Sequence, residues 1–227
     1  MGYLIQKKMK TALIFGSSGL IGSELLNVIK KNNNYNKIKL FVRSATNNND
    51  PKVEVIQTNF NSLEKHKDLM LGDDCFFCIG TTRKNTPDKN EYRRVEYNIP
   101  VDVAKIAKSN LVKTFVYVSS LGANPNSSGS YLKNKGQTEE ELNKLNFPKL
   151  AVIRPSILLG NRKVFRLGER IGIFIMKTLS IFLLGSLKKY KPIQAQNVAK
   201  AMVAIAQNHV QKKVFESNEL NEIGIAI

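Results

Sequence analysis

An apolar run, Thr11–Phe15, leads directly into Gly16-Ser17-Ser18-Gly19-Leu20-Ile21-Gly22 and on into an amphipathic stretch, Ile21–Lys30. That order of strand, glycine turn and helix admits few folds. In the helix, Leu25, Leu26 and Ile29 fall on one face. Glycines at this spacing have separate tasks: Gly16 permits the tight turn, Gly19 lets the backbone approach a pyrophosphate, and Gly22 allows the helix to sit close to its strand. The first turn of the helix presents free N–H groups to phosphate oxygens. A glycine motif alone says little, but between a strand and a helix it reads as a dinucleotide-binding fingerprint. Gly16, Ser18, Gly19, Leu20, Ile21 and Gly22 are therefore expected to line a cofactor.

Beyond the turn, apolar runs alternate with amphipathic ones, as in repeated βαβ units. Ile38–Val42, Val53–Ile56, Cys75–Ile79, Thr114–Val118 and Leu150–Ile153 read as strands. Val95–Lys108, Tyr131–Leu145 and Gln196–Gln207 read as helices. The expected fold is α/β, a Rossmann-type doubly wound parallel sheet with a small C-terminal helical cap. We expect one NAD(P)-binding domain over residues 1–227, with residues 9–160 as its cofactor-binding core. Residues 161–227 are expected to supply a substrate cap and a C-terminal helix. Residues 1–8 read as a dispensable extension before Met9.

The chain carries 35 basic and 18 acidic side chains, a net charge of +17. The lysines are scattered and accompanied by asparagine clusters such as Asn47-Asn48-Asn49, with no aromatic-basic platform, so nucleic acid is not an expected partner. The charge still favours phosphate-bearing ligands. Cys75 and Cys78 sit in one predicted strand, where residues three apart face opposite sides, so a redox or metal pair is not expected. His66 and His209 show no ligand spacing, and no metal is assigned. Without a secretory signal pattern, the expected location is cytoplasmic.

Cofactor choice is read at the end of the second strand, Leu40-Phe41-Val42-Arg43-Ser44. A carboxylate there would bond the ribose 2′-hydroxyl of NAD, whereas an arginine meets the 2′-phosphate of NADP. Arg43 points to NADP(H), with NAD(H) as the alternative.

Ser119-Ser120 closes the fifth strand, and Tyr131 and Lys135 follow at i, i+4 on one helix face. A phenol is a weak base at neutrality, and a neighbouring ammonium favours its ionised form. At these motifs the sequence resembles the short-chain dehydrogenase/reductase superfamily. Within it the chain is similar to the short atypical oxidoreductases of the Tat-interacting-protein family, through Phe77–Arg83, Tyr117–Ala123, Tyr131–Gly136 and Ile153-Arg154-Pro155.

The resemblance implies that Tyr131 is the acid/base, with Lys135 its partner and a ligand of the nicotinamide ribose. It implies that Ser120, ahead of Ser119, orients the substrate carbonyl, and that Asn98 supports the set. Gly80 and Thr81 would line the cofactor, Pro155 and Ile157 with Ser156 would flank the nicotinamide, and Asn59 and Phe60 would lie near the adenine. The expected activity is hydride transfer between NADP(H) and a small carbonyl or alcohol. The alternatives are a sugar-nucleotide epimerase or dehydratase, and a non-enzymatic NADPH-binding regulator. The apolar stretch Ile171–Leu187 is read as a cap or homodimer interface in preference to a peripheral membrane contact, and no transmembrane segment is expected.

Overall fold

The computed structural model describes residues 9–160 and 184–227. Strands β1 (Lys10–Phe15), β2 (Tyr35–Val42), β3 (Val53–Gln57), β4 (Asp74–Phe77), β5 (Thr114–Val118), β6 (Lys149–Arg154) and, late in the chain, Val214–Glu216 form one sheet. With β7 (Leu158–Leu159) and β8 (Ile193–Gln194) pairing separately, the late strand is β9. Every pairing in the large sheet is parallel, in the order β3-β2-β1-β4-β5-β6-β9. The strand order reverses between β1 and β4, and ligands of such sheets bind at the carboxyl ends beside that switch point. This is the doubly wound Rossmann arrangement.

Because strand side chains alternate, each strand feeds two cores. Ala12, Ile14, Leu40, Phe76, Val116 and Ile153 face one side, where α1 (Leu20–Lys31) and the helix Ala195–Gln207 pack through Leu25, Ile29, Val198 and Met202. Leu13, Phe15, Phe41, Phe77, Phe115 and Tyr117 face the other, beneath α3 (Ile99–Ser109) and α4 (Ser130–Lys144). The ring of Phe15 stacks on Phe41 at 4.5 Å and on Phe77 at 5.9 Å, joining three adjacent strands at their carboxyl ends. Cys75 belongs to the second core and Cys78 packs against the first, so the two thiols lie on opposite faces as their spacing requires.

The chain after Gly160 returns to the body of the domain. Helix α5 (Ala195–Gln207) packs on α1, β9 adds the seventh strand beside β6, and α6 (Ser217–Ile225) packs on α5, with Gly224 set against the Asn197 backbone. Residues 193–225 therefore pack against the Rossmann layers and add a strand to the sheet. Of the apolar stretch Ile171–Leu187, all but the last four residues lie outside the described residues. Leu184 and Leu187 are exposed. Among the described residues no helix is long and apolar enough to cross a membrane.

One helix departs from the sequence expectation. The segment read as starting at Val95 begins earlier, with α2 (Lys89–Arg93), and passes through one π turn, Arg94–Asn98, into α3. Asp88 caps it by accepting from the Glu91 N–H at 2.7 Å. Pro100 has no N–H to offer the Glu96 carbonyl four residues back. That carbonyl instead accepts the Thr138 hydroxyl at 3.1 Å, fastening the π turn to α4.

Candidate functional site

The turn after β1 is built as its glycines require. Gly16 has φ +88°, and a Cβ there would lie 2.8 Å from the backbone of Cys78 and Ile79, so the turn touches the end of β4 across the switch point. A Cβ on Gly22 would lie 2.0 Å from the Gly16 carbonyl oxygen, which leaves room only for hydrogen. Gly19 caps α1 and its N–H donates to Gly16 O at 3.1 Å. The first backbone bond of the helix runs from Ser23 N–H to Gly19 O, no side chain caps this end, and no acidic residue lies in its first turn. The N–H groups of Leu20, Ile21 and Gly22 thus stand beside exposed Ser18 and Gly19 with the positive end of the helix behind them. Ile21 buries its side chain in the core and can offer a ligand only its backbone. These features fit a pyrophosphate.

At the far side of the turn, β2 ends at Val42, and Arg43 follows with an exposed side chain. The Arg94 guanidinium grips Glu91 through bonds of 2.6 and 2.7 Å and, with a smaller contribution from Arg43, holds it below the ordinary carboxylate range. Asn59 is exposed and its side-chain oxygen accepts the Asn61 N–H at 2.9 Å. Phe60, in the left-handed region at φ 57°, turns its ring into the core, 6.3 Å from Phe15. Its side chain is therefore a floor under this end of the cleft and not an exposed adenine contact.

The other end gathers around Lys135. Its side chain is 4 % exposed, and Glu96, at 0 %, faces it with an N–O distance of 3.1 Å. Lys135 Nζ also donates to the Val118 carbonyl at 3.1 Å, lies 4.9 Å from the Tyr117 ring centre and 6.0 Å from that of Tyr131. Burial opposes the charge of Lys135, but Glu96, ahead of Tyr117 and Tyr131, more than offsets it, so the ammonium is held well above its ordinary value. The second Glu96 oxygen accepts the Thr81 N–H at 2.5 Å, and a Cβ on Gly80 would lie 3.4 Å from that same oxygen. Thr81 Oγ1 is 2.8 Å from Thr86 Oγ1. The backbone after β4 is thus tied directly to the lysine's carboxylate.

Tyr131 is 40 % exposed at the first turn of α4, whereas Lys135, one turn further on, is sealed. Gly136 holds this helix in place: a Cβ there would lie 2.3 Å from the backbone of Asn124 and Pro125, and Asn124 N–H donates to Leu132 O. Tyr92 lies under the cleft with Arg83 over its ring at 4.6 Å, and its hydroxyl is pushed up to about 12 by burial and by Glu96 and Tyr131.

The two serines after β5 separate cleanly. Ser119 is buried and donates to Glu139, which also binds Arg154 through both oxygens, at 3.0 and 2.5 Å. Among the described residues Ser120 has only a long contact of 3.4 Å to the next residue's carbonyl, which leaves its hydroxyl able to meet a ligand. Pro155 is buried and its carbonyl accepts the Leu121 N–H, while the Ile157 carbonyl accepts from Ile193. Ser156 is tied to Ser217 at 2.8 Å. Asn98 is not brought to this group. It closes the π turn with an exposed side chain, and Glu96, two residues earlier, occupies the place beside Lys135. Helical periodicity conceals Glu96, because the π turn shifts the register of the inward face. The signal was a carboxylate four residues before a helical proline.

The model of a family described as NAD(P)H-binding matches residues 16–209. The chain belongs to this NAD(P)H-binding family. Protein FMP52-1, mitochondrial, of Scheffersomyces stipitis is 32 % identical over 229 residues, covering 94 % of this chain and 98 % of that one. Protein HTATIP2 of Rattus norvegicus is 34 % identical over 168 residues, 70 % of this chain and 67 % of that protein. This agrees with the Tat-interacting-protein likeness read from the motifs. Among solved structures, the Bordetella bronchiseptica enzyme WbmH in complex with NAD+ superposes with a TM-score of 0.68 at 18 % identity, covering 96 % of this chain and 80 % of that one. The family member described here is accordingly an NAD(P)(H)-binding protein of the Rossmann type. The expectation of a cytoplasmic location is corrected: the FMP52 relatives from several yeasts are mitochondrial proteins by name, which points away from the cytoplasm. The sequence reading relied on a missing secretory signal, and that criterion is blind to other destinations.

Proposed function

We propose that the chain is an NADP(H)-dependent oxidoreductase acting on a small carbonyl or alcohol. The observation that carries this reading is the pairing of an open phenol, Tyr131, with a sealed ammonium, Lys135, at the carboxyl end of β5, beside the glycine turn. When bound, the cofactor supplies or takes the hydride. Tyr131 gives the proton to the substrate oxygen in reduction and takes it in oxidation. Ser120 donates a hydrogen bond to that oxygen, since Ser119 is committed to Glu139. Lys135 supplies positive charge beneath the phenol and reaches the nicotinamide ribose. The glycine turn and the first N–H groups of α1 hold the pyrophosphate, Gly80 and Thr81 line the cofactor, and Arg43 meets the 2′-phosphate. Pro155 and Ile157 flank the nicotinamide, and the Asn59–Phe60 backbone borders the adenine.

A sugar-nucleotide reaction is the second reading, because the superposable structures include UDP-N-acetylglucosamine 4-epimerase from Methanobrevibacter ruminantium, at 14 % identity and a TM-score of 0.66. Native mass spectrometry followed by an NADPH-oxidation screen over aldehydes, ketones and quinones tests the proposal. Turnover of a carbonyl is the expected result. A retained sugar nucleotide with no NADPH oxidation would replace the reading with the second one, and tight NADPH without turnover would make the chain a binding protein.

A further inference from the structure

We propose that Glu96 is the positioning residue of Lys135, holding its ammonium charged and coupling it to the backbone after β4; this rests on the role given to Lys135 above. Among the described residues Glu96 is the one carboxylate paired with Lys135, and both side chains are sealed from water. Its two oxygens divide the work: Oε1 takes the Thr81 N–H, and Oε2 faces Lys135 Nζ without meeting any other hydrogen-bond donor among the described residues. The Glu96 backbone is fixed as well, through Thr138 Oγ1 and the proline-released carbonyl.

The groups facing this pair come from every neighbouring element. They are Tyr92 on α2, Tyr117 on β5, Tyr131 on α4 and the Cys78 thiol at the end of β4, which burial pushes up to about 12. Burial pushes the Tyr92 and Tyr117 hydroxyls, like the Cys78 thiol, up to about 12, so these three are neutral in the physiological range. The Tyr117 hydroxyl is buried with no hydrogen-bond partner among the described residues. Among the described residues no other carboxylate pairs with this lysine, so removing the Glu96 charge leaves burial as the largest effect on it.

Burial of an unpaired lysine drives its titration below the ordinary value of about 10.4. The charged form then exists below that lowered value and is lost as pH rises through it. With Glu96→Gln, which can still accept the Thr81 N–H, we expect the alkaline limb of kcat/KM to move down by at least about one pH unit.

A second readout needs no substrate. Between the lowered folded value and the unfolded one, the unfolded chain binds more protons, so folding stability of the variant increases with pH there. In the unaltered chain the raised folded value gives the opposite sign: the lysine's contribution is present below its unfolded value and lost as pH rises through the folded one. The melting temperature of Glu96→Gln, relative to the unaltered chain, should therefore climb from neutral pH towards pH of about 10. An alkaline limb in its original place, or melting curves that stay parallel across this range, would overturn the proposal.

If the glutamine variant does not fold, Glu96→Asp decides. Its carboxylate is one methylene short of serving Thr81 and Lys135 together, so kcat should fall about tenfold while the alkaline limb stays in place. An unreduced kcat would overturn the proposal. Should the unaltered chain reduce no carbonyl at all, the oxidoreductase reading fails by itself, and the melting comparison still decides the pairing.

Discussion

Two buried carboxylates lie at opposite ends of the parallel sheet, and each meets a lysine differently. At the amino end Asp74 opens β4, where it accepts the Tyr35 hydroxyl at 2.7 Å and pairs with Lys10 at 2.9 Å. The Lys10 side chain is 31 % exposed, so its ammonium keeps part of its hydration while tying β1 to β4. At the carboxyl end Glu96 and Lys135 are both sealed. Desolvating both partners of an ion pair costs about as much as their attraction returns, and a packed apolar pair would serve stability as well or better. The amino-end pair is thus understandable as a strand tie. The carboxyl-end pair calls for another reason, and a charged group held ready below an open phenol supplies one.

The contrast can be broken first at the glycine turn, where the largest effect is expected. Gly22→Ala places a methyl group 2.0 Å from a backbone oxygen, so either the turn or the helix must move. We expect a stability loss of about 3 kcal/mol or more and NADPH binding weakened at least about a hundredfold. Chemical denaturation and fluorescence titration measure both, and an alanine variant that binds as before would refute the close-packing role.

Asp74→Asn should act on stability alone. Removing the charge opposite Lys10 while keeping an acceptor for Tyr35 is expected to cost about 1–3 kcal/mol, with NADPH affinity unmoved. A change in affinity would mean that the two ends of the sheet are coupled.

Arg43→Asp is the reverse case, an exposed residue whose loss should spare the fold. NADPH affinity should drop about ten- to a hundredfold and the preference for NADPH over NADH should invert. Equal affinities for the two cofactors in the unaltered chain would remove Arg43 from the 2′-phosphate site. The smallest effect is expected at Ser119, where alanine loses the bond to Glu139 for about 1 kcal/mol and leaves turnover within about twofold. A large loss of turnover there would exchange the roles of Ser119 and Ser120.

How much of this was legible in the sequence follows from the range of the forces involved. The core strands were readable because their apolar runs record burial on both faces, and Thr114–Val118 coincides with β5. The glycine turn was readable because steric demands at Gly16 and Gly22 act between residues close in the chain. Edge strand β9 has three residues, too few for a period, and owes its place to its pairing with β6. Glu96 was hidden by a π turn, and its contact with Lys135 joins elements far apart in the sequence. Asn98 was expected to support the set only through the family likeness, and the π turn leaves its side chain exposed while Glu96 lies beside Lys135. The division at Gly160 was drawn where the motif likeness ended, whereas α5 and β9 rejoin the core through long-range packing.

The most direct test of the central claim, that the carboxyl end of β5 carries proton transfer, is the single-turnover rate of NADPH oxidation by Tyr131→Phe beside the unaltered chain, with the best carbonyl from the screen. Tyr131 is partly exposed, so losing its hydroxyl should leave folding and NADPH affinity intact. We expect a rate lower by about a hundredfold or more at unchanged NADPH affinity. A phenylalanine variant that turns over at the original rate would contradict it.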